Sequence, residues 1–281
     1  MKKILLATTV LAATAGYASA DIKLTGSANM GVKYNEDRDN STYLWNELDF
    51  NVIGSGTTDS GIEFGASVSM DSHSDDGTTI DDNSGTFDPI AYISSGGLTI
   101  KIGDVYPATD DFGISDIGFD GIGIDDIAEA AWDEGSANLL VTYTIGDTTF
   151  YASADGTDGD DWAVAVMGEI AGFGYGLGYE ENEESGVVTD ITLAQVSYSF
   201  GDASLAAVYV SGDYDSYGIQ ADYKMGDLGL RAVMGWADNA LDQTSYGIGA
   251  SYDLGSGLAV AGGVGSADGT TTADFGVTMK F

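Results

Sequence analysis

The sequence runs to 281 residues and holds forty-one glycines, two prolines, no cysteine and a formal net charge of −36. Without cysteine there is neither a disulfide framework nor a thiolate metal site, and so large an acidic excess repels nucleic acid and draws cations. Charge of one sign often accompanies disorder, but 43% of the residues are hydrophobic and recur at regular spacing, so a folded chain is expected.

Lys2 and Lys3 precede an apolar run over 4–15, and Ala18-Ser19-Ala20 follows with small residues. This is the form of a cleaved export signal over 1–20, leaving 21–281 as the exported chain. The apolar run is shorter than the roughly 18 residues that a helical span needs, and no later run approaches that length. An exported chain without helical spans is either soluble or a closed barrel, because only helices and closed barrels satisfy their backbone groups inside lipid.

From Ile22 the hydrophobic pattern has period two. Ile22, Leu24, Ala28, Met30, Val32 and Tyr34 share one face, and Lys23, Thr25, Ser27, Asn29 and Lys33 the other. Leu44, Leu48, Phe50 and Val52 make a second strand. Ile62, Phe64, Ala66, Val68 and Met70 make a third, opposed by Glu63, Ser67, Ser69 and Asp71. A fourth covers 87–94, and a fifth has Leu98, Ile100 and Ile102 opposite Thr99 and Lys101. After a long interruption come Ala137, Leu139, Val141, Tyr143 and Ile145, then Phe150, Ala152 and Ala154. The eighth strand, 162–170, is apolar on both faces, so its parity is open. Tyr175, Leu177 and Tyr179 follow, then Val196, Tyr198 and Phe200, with further sets starting at Leu205, Tyr217, Leu230, Tyr246 and Leu258. The last is Ala273, Phe275, Val277, Met279 and Phe281. The total is about sixteen, with fourteen to eighteen acceptable, and single-chain bacterial barrels use even numbers.

The connections support an all-β transmembrane antiparallel barrel. Tight Gly- and Asp-bearing turns lie at 94–97, 146–147, 201–202 and 225–227, and longer polar loops at 35–41, 72–86, 156–161, 181–186 and 237–244. Short turns at one end and long loops at the other mark outer-membrane barrels. Lys23, Lys33, Lys101, Lys224, Arg231 and Lys280 all fall on the polar face by parity. A basic residue on the lipid face costs about 2–4 kcal/mol at the midplane. Trp45, Trp162 and Trp236 fall near strand ends, where interfacial aromatics are expected.

The alternation stops over 105–135, too long for an ordinary hairpin connection and hence a candidate functional segment. Its acids are Asp110, Asp111, Asp116, Asp120, Asp125, Asp126, Glu129, Asp133 and Glu134, set among Ile, Phe and Ala. A short helix over 125–132 fits the pattern. A segment both apolar and acidic needs one packed side and one wet side. Folding into the barrel against its wall supplies both and lines the channel with carboxylates, which favour cations. The alternative is an external flap on the rim or on a neighbouring subunit.

Catalysis finds little support. His73, the only histidine, is expected in a polar loop, and no Ser–His pair with an orienting group is identifiable. The Asp-rich stretch 71–83 lacks the glycine and the terminal Glu at the spacings that a calcium-binding loop requires. Loose calcium binding by loop acids stands beside plain solvated charge as a reading of the acidic loops.

The export signal, Lys101-Ile102-Gly103-Asp104 ending the fifth strand, the long acidic segment after it and the terminal Phe281 together resemble the Gram-negative general diffusion porins, especially those of Rhodobacter-like alphaproteobacteria. The resemblance covers essentially the whole chain. It implies a homotrimer of barrels with about sixteen strands in the outer membrane. In the family the third external loop folds inward as the constriction, and small hydrophilic solutes and ions pass by diffusion. It implies outer-membrane lipids and lipopolysaccharide as surroundings, and Phe281, with Met279, Val277 and Phe275, as the signal read by the barrel-assembly machinery. Some members bind calcium at acidic sites; no cofactor is implied. The family usually sets its loop acids against clustered arginines, whereas this chain has only Arg38 and Arg231. Lys33, Lys101 and Arg231 are therefore the pore-wall basic candidates. Asp110, Asp111, Asp116, Asp120, Asp125, Asp126 and Glu129 are the constriction acids, in a cation-selective lumen more uniformly negative than usual. The alternatives are a substrate-specific porin and a secreted, soluble, acidic β-protein that binds calcium or carbohydrate.

Overall fold

The computed structural model describes residues 21–75, 87–132, 135–157, 161–184 and 187–281. The expected export signal, most of the 72–86 loop and the acids Asp133 and Glu134 lie outside them. The described chain forms sixteen strands: β1 (Asp21–Asn35), β2 (Thr42–Thr57), β3 (Glu63–Asp75), β4 (Phe87–Ser95), β5 (Leu98–Gly103), β6 (Leu139–Ile145), β7 (Thr148–Ala154) and β8 (Trp162–Ile170), then β9 (Phe173–Glu184), β10 (Val187–Phe200), β11 (Ala203–Ser211), β12 (Asp215–Met225), β13 (Leu228–Ala237), β14 (Gln243–Gly255), β15 (Leu258–Ala267) and β16 (Thr270–Lys280). Every strand pairs antiparallel with its sequence neighbours, and β1 pairs with β16, so the sheet closes. Closure removes the sheet edges that lipid would leave unsatisfied. At the seam Phe281 exchanges backbone hydrogen bonds with Gly26, 2.8 and 2.9 Å. Gly26 is small for a local reason: a Cβ there would lie 2.7 Å from the Phe281 ring.

Parity decides which residues meet lipid. Ile22 is 77% exposed and Leu44 60%, as are their outward counterparts around the barrel, while the alternate residues point inward. The register puts Lys33 opposite Asp274, Lys280 opposite Ser27 and Arg231 opposite Asp222, all on the inner face. Aromatic rings gather at both ends of the outer surface. Tyr209, Tyr217 and Trp236 stack near the long loops, and Phe173 stacks on Tyr198 near the short turns. Such girdles sit at the two lipid–water boundaries.

Three expectations are corrected. Trp45 is not an interfacial ring: its register partner is Gly31 on the inner face, Lys33 lies over its ring, and His73 stacks on it at 5.5 Å. His73 is a β3 strand residue facing Glu47, not a loop residue. The loop foreseen at 181–186 is mostly ladder, because β9 and β10 pair out to Glu184 and Val187. That hairpin tip is rich in polar side chains, so the backbone keeps pairing where the period-two hydrophobic signal has faded.

The core lies inside the barrel, between segment 105–135 and the wall. Phe112, Ile114, Ile117, Ile124 and Ala128 of the segment pack with Ala163, Ala165, Ile191, Leu193, Val208, Val210 and Val233 of the inner face. This explains the unclear parity of β8: its inner Ala163 and Ala165 are apolar because they meet the segment, not lipid. Each fully buried Ile or Leu contributes about 1.5–3 kcal/mol. Glycines on the inner wall provide the depth. A Cβ on Gly218 would sit 2.6 Å from Ile114 and 2.7 Å from Ala128. On Gly249 it would meet Ile117 at 2.8 Å, and on Gly276 Phe119 at 2.7 Å. Gly218→Val adds a good strand former where no space exists, at a packing cost of about 1–3 kcal/mol. The variant is expected to keep its heat-modifiable barrel mobility while limited proteolysis within 105–135 becomes faster; unchanged protection would show that the segment does not rest on this floor.

Candidate functional site

The segment leaves β5 at Gly103, whose φ of +131° and close approach to the Pro89 carbonyl admit no side chain. It then crosses the lumen, tied to the wall at each step. Ala108 N donates to Ser153 Oγ on β7 at 2.8 Å. The Thr109 hydroxyl donates to Glu180 on β9, which also accepts from Trp132 Nε1 at 3.3 Å and Gly135 N at 2.5 Å. Glu180 is 1% exposed. A buried carboxylate is costly unless its acceptor capacity is filled, and here the two ends of the segment fill it. Ser115 N donates to Gln220 on β12 at 2.7 Å, and Arg231 Nη1 on β13 to the Asp116 carbonyl at 2.9 Å.

Asp116 organises the tip. Its carboxylate accepts from the backbone N–H groups of Ile117, Ile122, Gly123 and Ile124, winding 116–124 into a closed turn. The tip is pinned by Asp274 on β16, which accepts from Phe119 N at 2.9 Å and Asp120 N at 3.3 Å. Asp120 forms an ion pair with Lys33 on β1 and accepts from Asn29 at 3.0 Å. Ser245 and Thr272 donate to the carbonyls of Ile124 and Ile122.

The helix expected over 125–132 is absent; Asp125, Ile127 and Glu129 instead accept successive turn bonds from the residues three ahead. The wall takes the groups a helix would use: Ala131 N donates to Ser216 Oγ at 3.2 Å, and Tyr214 donates to the Ala130 carbonyl. The Glu129 carboxylate is drawn back to Ile114 N at 3.0 Å.

The seven candidate acids thus divide. Asp110, Asp111 and Asp126 are exposed, and Asp125 is half-buried. Asp116, Asp120 and Glu129 hold the segment's own backbone or the wall. Of the basic candidates, Lys33 is paired with Asp120, and Arg231 with Asp222 at 2.7 Å. Lys101 sits on the inner face of β5, opposite Tyr92 and Leu140. The anchors described fall on β7, β9, β12–β14, β16 and β1. From the β1–β16 seam across β2–β4, a cavity of about 730 Å³ is lined by Asp49, Asp71, Asp88, Tyr106 and Lys280 among others. These wall acids were not among the candidates, although parity alone places them inward; Asp49 and Asp71 are direct cross-strand partners. Among the described residues no group of His, Cys, Asp or Glu is arranged to hold a metal ion.

Electrostatics follow from crowding. Burial, with the nearby charges of Asp116 and Asp126, pushes Asp125 up to about 7. Burial and Asp116 raise Asp126 as well. Burial works against the charge of Asp120, but hydrogen bonds from Glu47 and Lys33 and the Lys33 charge prevail and hold it below the usual carboxylate range.

A closed barrel with an apolar outside, two aromatic girdles and an inward loop that narrows a polar interior is a transmembrane channel of the outer-membrane type. Comparison with known proteins agrees. A family model described as Gram-negative porin matches residues 7–272. The chain is 31% identical to the porin of Rhodobacter capsulatus and 26% identical to that of Fuscovulum blasticum, each match covering 93% of this chain and all of the relative. A solved structure of a substituted Rh. blastica porin superposes with a TM-score of 0.80 at 26% identity, over 93% of this chain and 100% of the other. The chain belongs to the Gram-negative porin family. It is an outer-membrane channel for passive diffusion and not an enzyme.

Because the folded chain holds the Asp125 proton more tightly than the unfolded chain, this group favours loop docking fully below its ordinary value near 4. The contribution is lost as pH rises from there through about 7. Amide exchange across 105–132, corrected for its intrinsic pH dependence, is expected to show weaker protection at pH 8 than at pH 5. Asp125→Asn should flatten that difference; a difference that survives the substitution would mean another group controls docking.

Proposed function

We propose that this porin selects for cations and that segment 105–135 is its constriction. The observation that carries the reading is the pairing of two of the basic residues beside a larger set of inward acids. Lys33 is neutralised by Asp120 and Arg231 by Asp222, while Asp110, Asp111 and Asp126 remain exposed and Asp49, Asp71 and Asp88 line the wall cavity. Carboxylates in a narrow aqueous passage stabilise cations and repel anions. Lys101 on β5 and Lys280, which lines the same cavity as the wall acids, temper this field. Small hydrophilic solutes and ions are the cargo.

The same reading includes a homotrimer among outer-membrane lipids and lipopolysaccharide, with Phe281 as the group recognised during assembly. Its support is the exposed apolar outer surface and the Phe281 position at the seam. Calcium enters only as a loosely held counterion of the loop acids. A soluble acidic β-protein would not present this apolar outer surface to water, and that reading is set aside.

Planar-bilayer reversal potentials under a potassium chloride gradient are expected to show cation preference, with openings grouped in threes. Selectivity should rise between pH 5 and pH 8 as Asp125, pushed up to about 7, loses its proton. Joint Asp110→Asn, Asp111→Asn and Asp126→Asn should lower the cation-to-anion permeability ratio several-fold. Anion preference in the unsubstituted channel would overturn the assignment.

A further inference from the structure

A second cavity, of about 500 Å³, lies inside the barrel between the docked segment and the short-turn end, lined by Asp111, Tyr151, Met167, Glu169, Gln195 and Gln220 among others. Pockets of roughly 300–1,000 Å³ take small organic ligands. Its charge is one-sided. The Gln195 amide nitrogen is turned to the Asp111 carbonyl at 3.4 Å and to the Met167 sulfur at 3.8 Å. Gln220 accepts from Ser115 N at 2.7 Å and donates to Asp222 at 2.5 Å. Both amides are therefore committed to fixing the segment and its wall. What remains for a visitor are the hydroxyls of Ser115, Thr149, Tyr151 and Ser197 and the exposed carboxylates of Asp111 and Glu169, with Asp147 in the β6–β7 turn joining them, so that every charged group of the lining is an acid. Tyr151 adds an aromatic ring and Met167 an apolar flank. No lysine or arginine lines the cavity.

We propose that this cavity is a binding subsite for small organic ammonium ions, entered from the short-turn end. An ammonium group supplies the donors that the two carboxylates lack, and its charge is attracted by an aromatic face. An apolar or aryl stem occupies the space beside Tyr151 and Met167. A neutral sugar gains nothing from that one-signed charge. The inference rests on the channel reading, and the test separates the two.

Phenethylamine, added to the short-turn side of single channels in a bilayer, is expected to block current saturably, while its neutral isostere 2-phenylethanol is not. Asp111→Asn and Glu169→Gln should each weaken the block about tenfold, and Tyr151→Leu should weaken it with single-channel conductance retained. Asp59→Asn, an exposed acid in the β2–β3 turn on the same side of the membrane, should leave it unchanged. Equal block by the alcohol, or block indifferent to Asp111 and Glu169, overturns the subsite while leaving the channel intact. A folded, heat-modifiable barrel that opens no channel at all overturns the channel reading instead. Where a variant fails to fold, equilibrium binding of phenethylamine to the unsubstituted protein in detergent, set against 2-phenylethanol, gives the same decision.

Discussion

Everything in this molecule depends on one constraint: inside lipid, no backbone N–H or C=O can be left without a partner. An antiparallel sheet meets it only by closing, and closure with sixteen strands encloses more space than side chains fill. The interior must therefore be occupied by water, by chain, or by both. Here the chain supplies a segment with its own small core and leaves the rest wet. The apolar residues that would fill the centre of a soluble protein instead line one arc of the lumen.

The docked segment shows how charge is used as architecture. Glu180, Asp116 and Asp274 are not arranged against cations first; Asp116 and Asp274 gather backbone N–H groups that the irregular segment would otherwise leave unpaired, and Glu180 gathers a hydroxyl, an indole N–H and a backbone N–H from its two ends. Carboxylates accept several such bonds at once, which suits a stretch without regular secondary structure. The abundance of acid in the sequence therefore has two separate origins, one holding the segment in shape and one setting the potential of the passage.

Much of the barrel was legible in the sequence because a two-faced sheet writes its period directly into the residue order. The signal failed where its cause was absent. The tip of the β9–β10 hairpin lies among polar residues, so Glu181 and Asn182 read as loop while their backbones remain paired. β8 lost its parity because Ala163 and Ala165 face an apolar segment rather than water. The site was legible as a segment, from its length and mixed composition, but not residue by residue. Whether Asp116 faces water or its own backbone is decided by the tight turn through 116–124, which no periodicity encodes. Nor does the glycine count reveal that Gly218 and Gly249 are the floor on which the segment lies.

The anchors of that segment also set an order of events. Phe119 is held by Asp274, 155 positions later in the chain, while Asp120 is held by Lys33 near the opposite end. Lys33 and Asp274 are themselves cross-strand partners, so the two grips come together only where β16 has joined β1. Contacts of so long a range in sequence are slow to form. A barrel with an open seam thus has no complete seat for its own filter: the same join that seals the wall against lipid also assembles the site that narrows the passage.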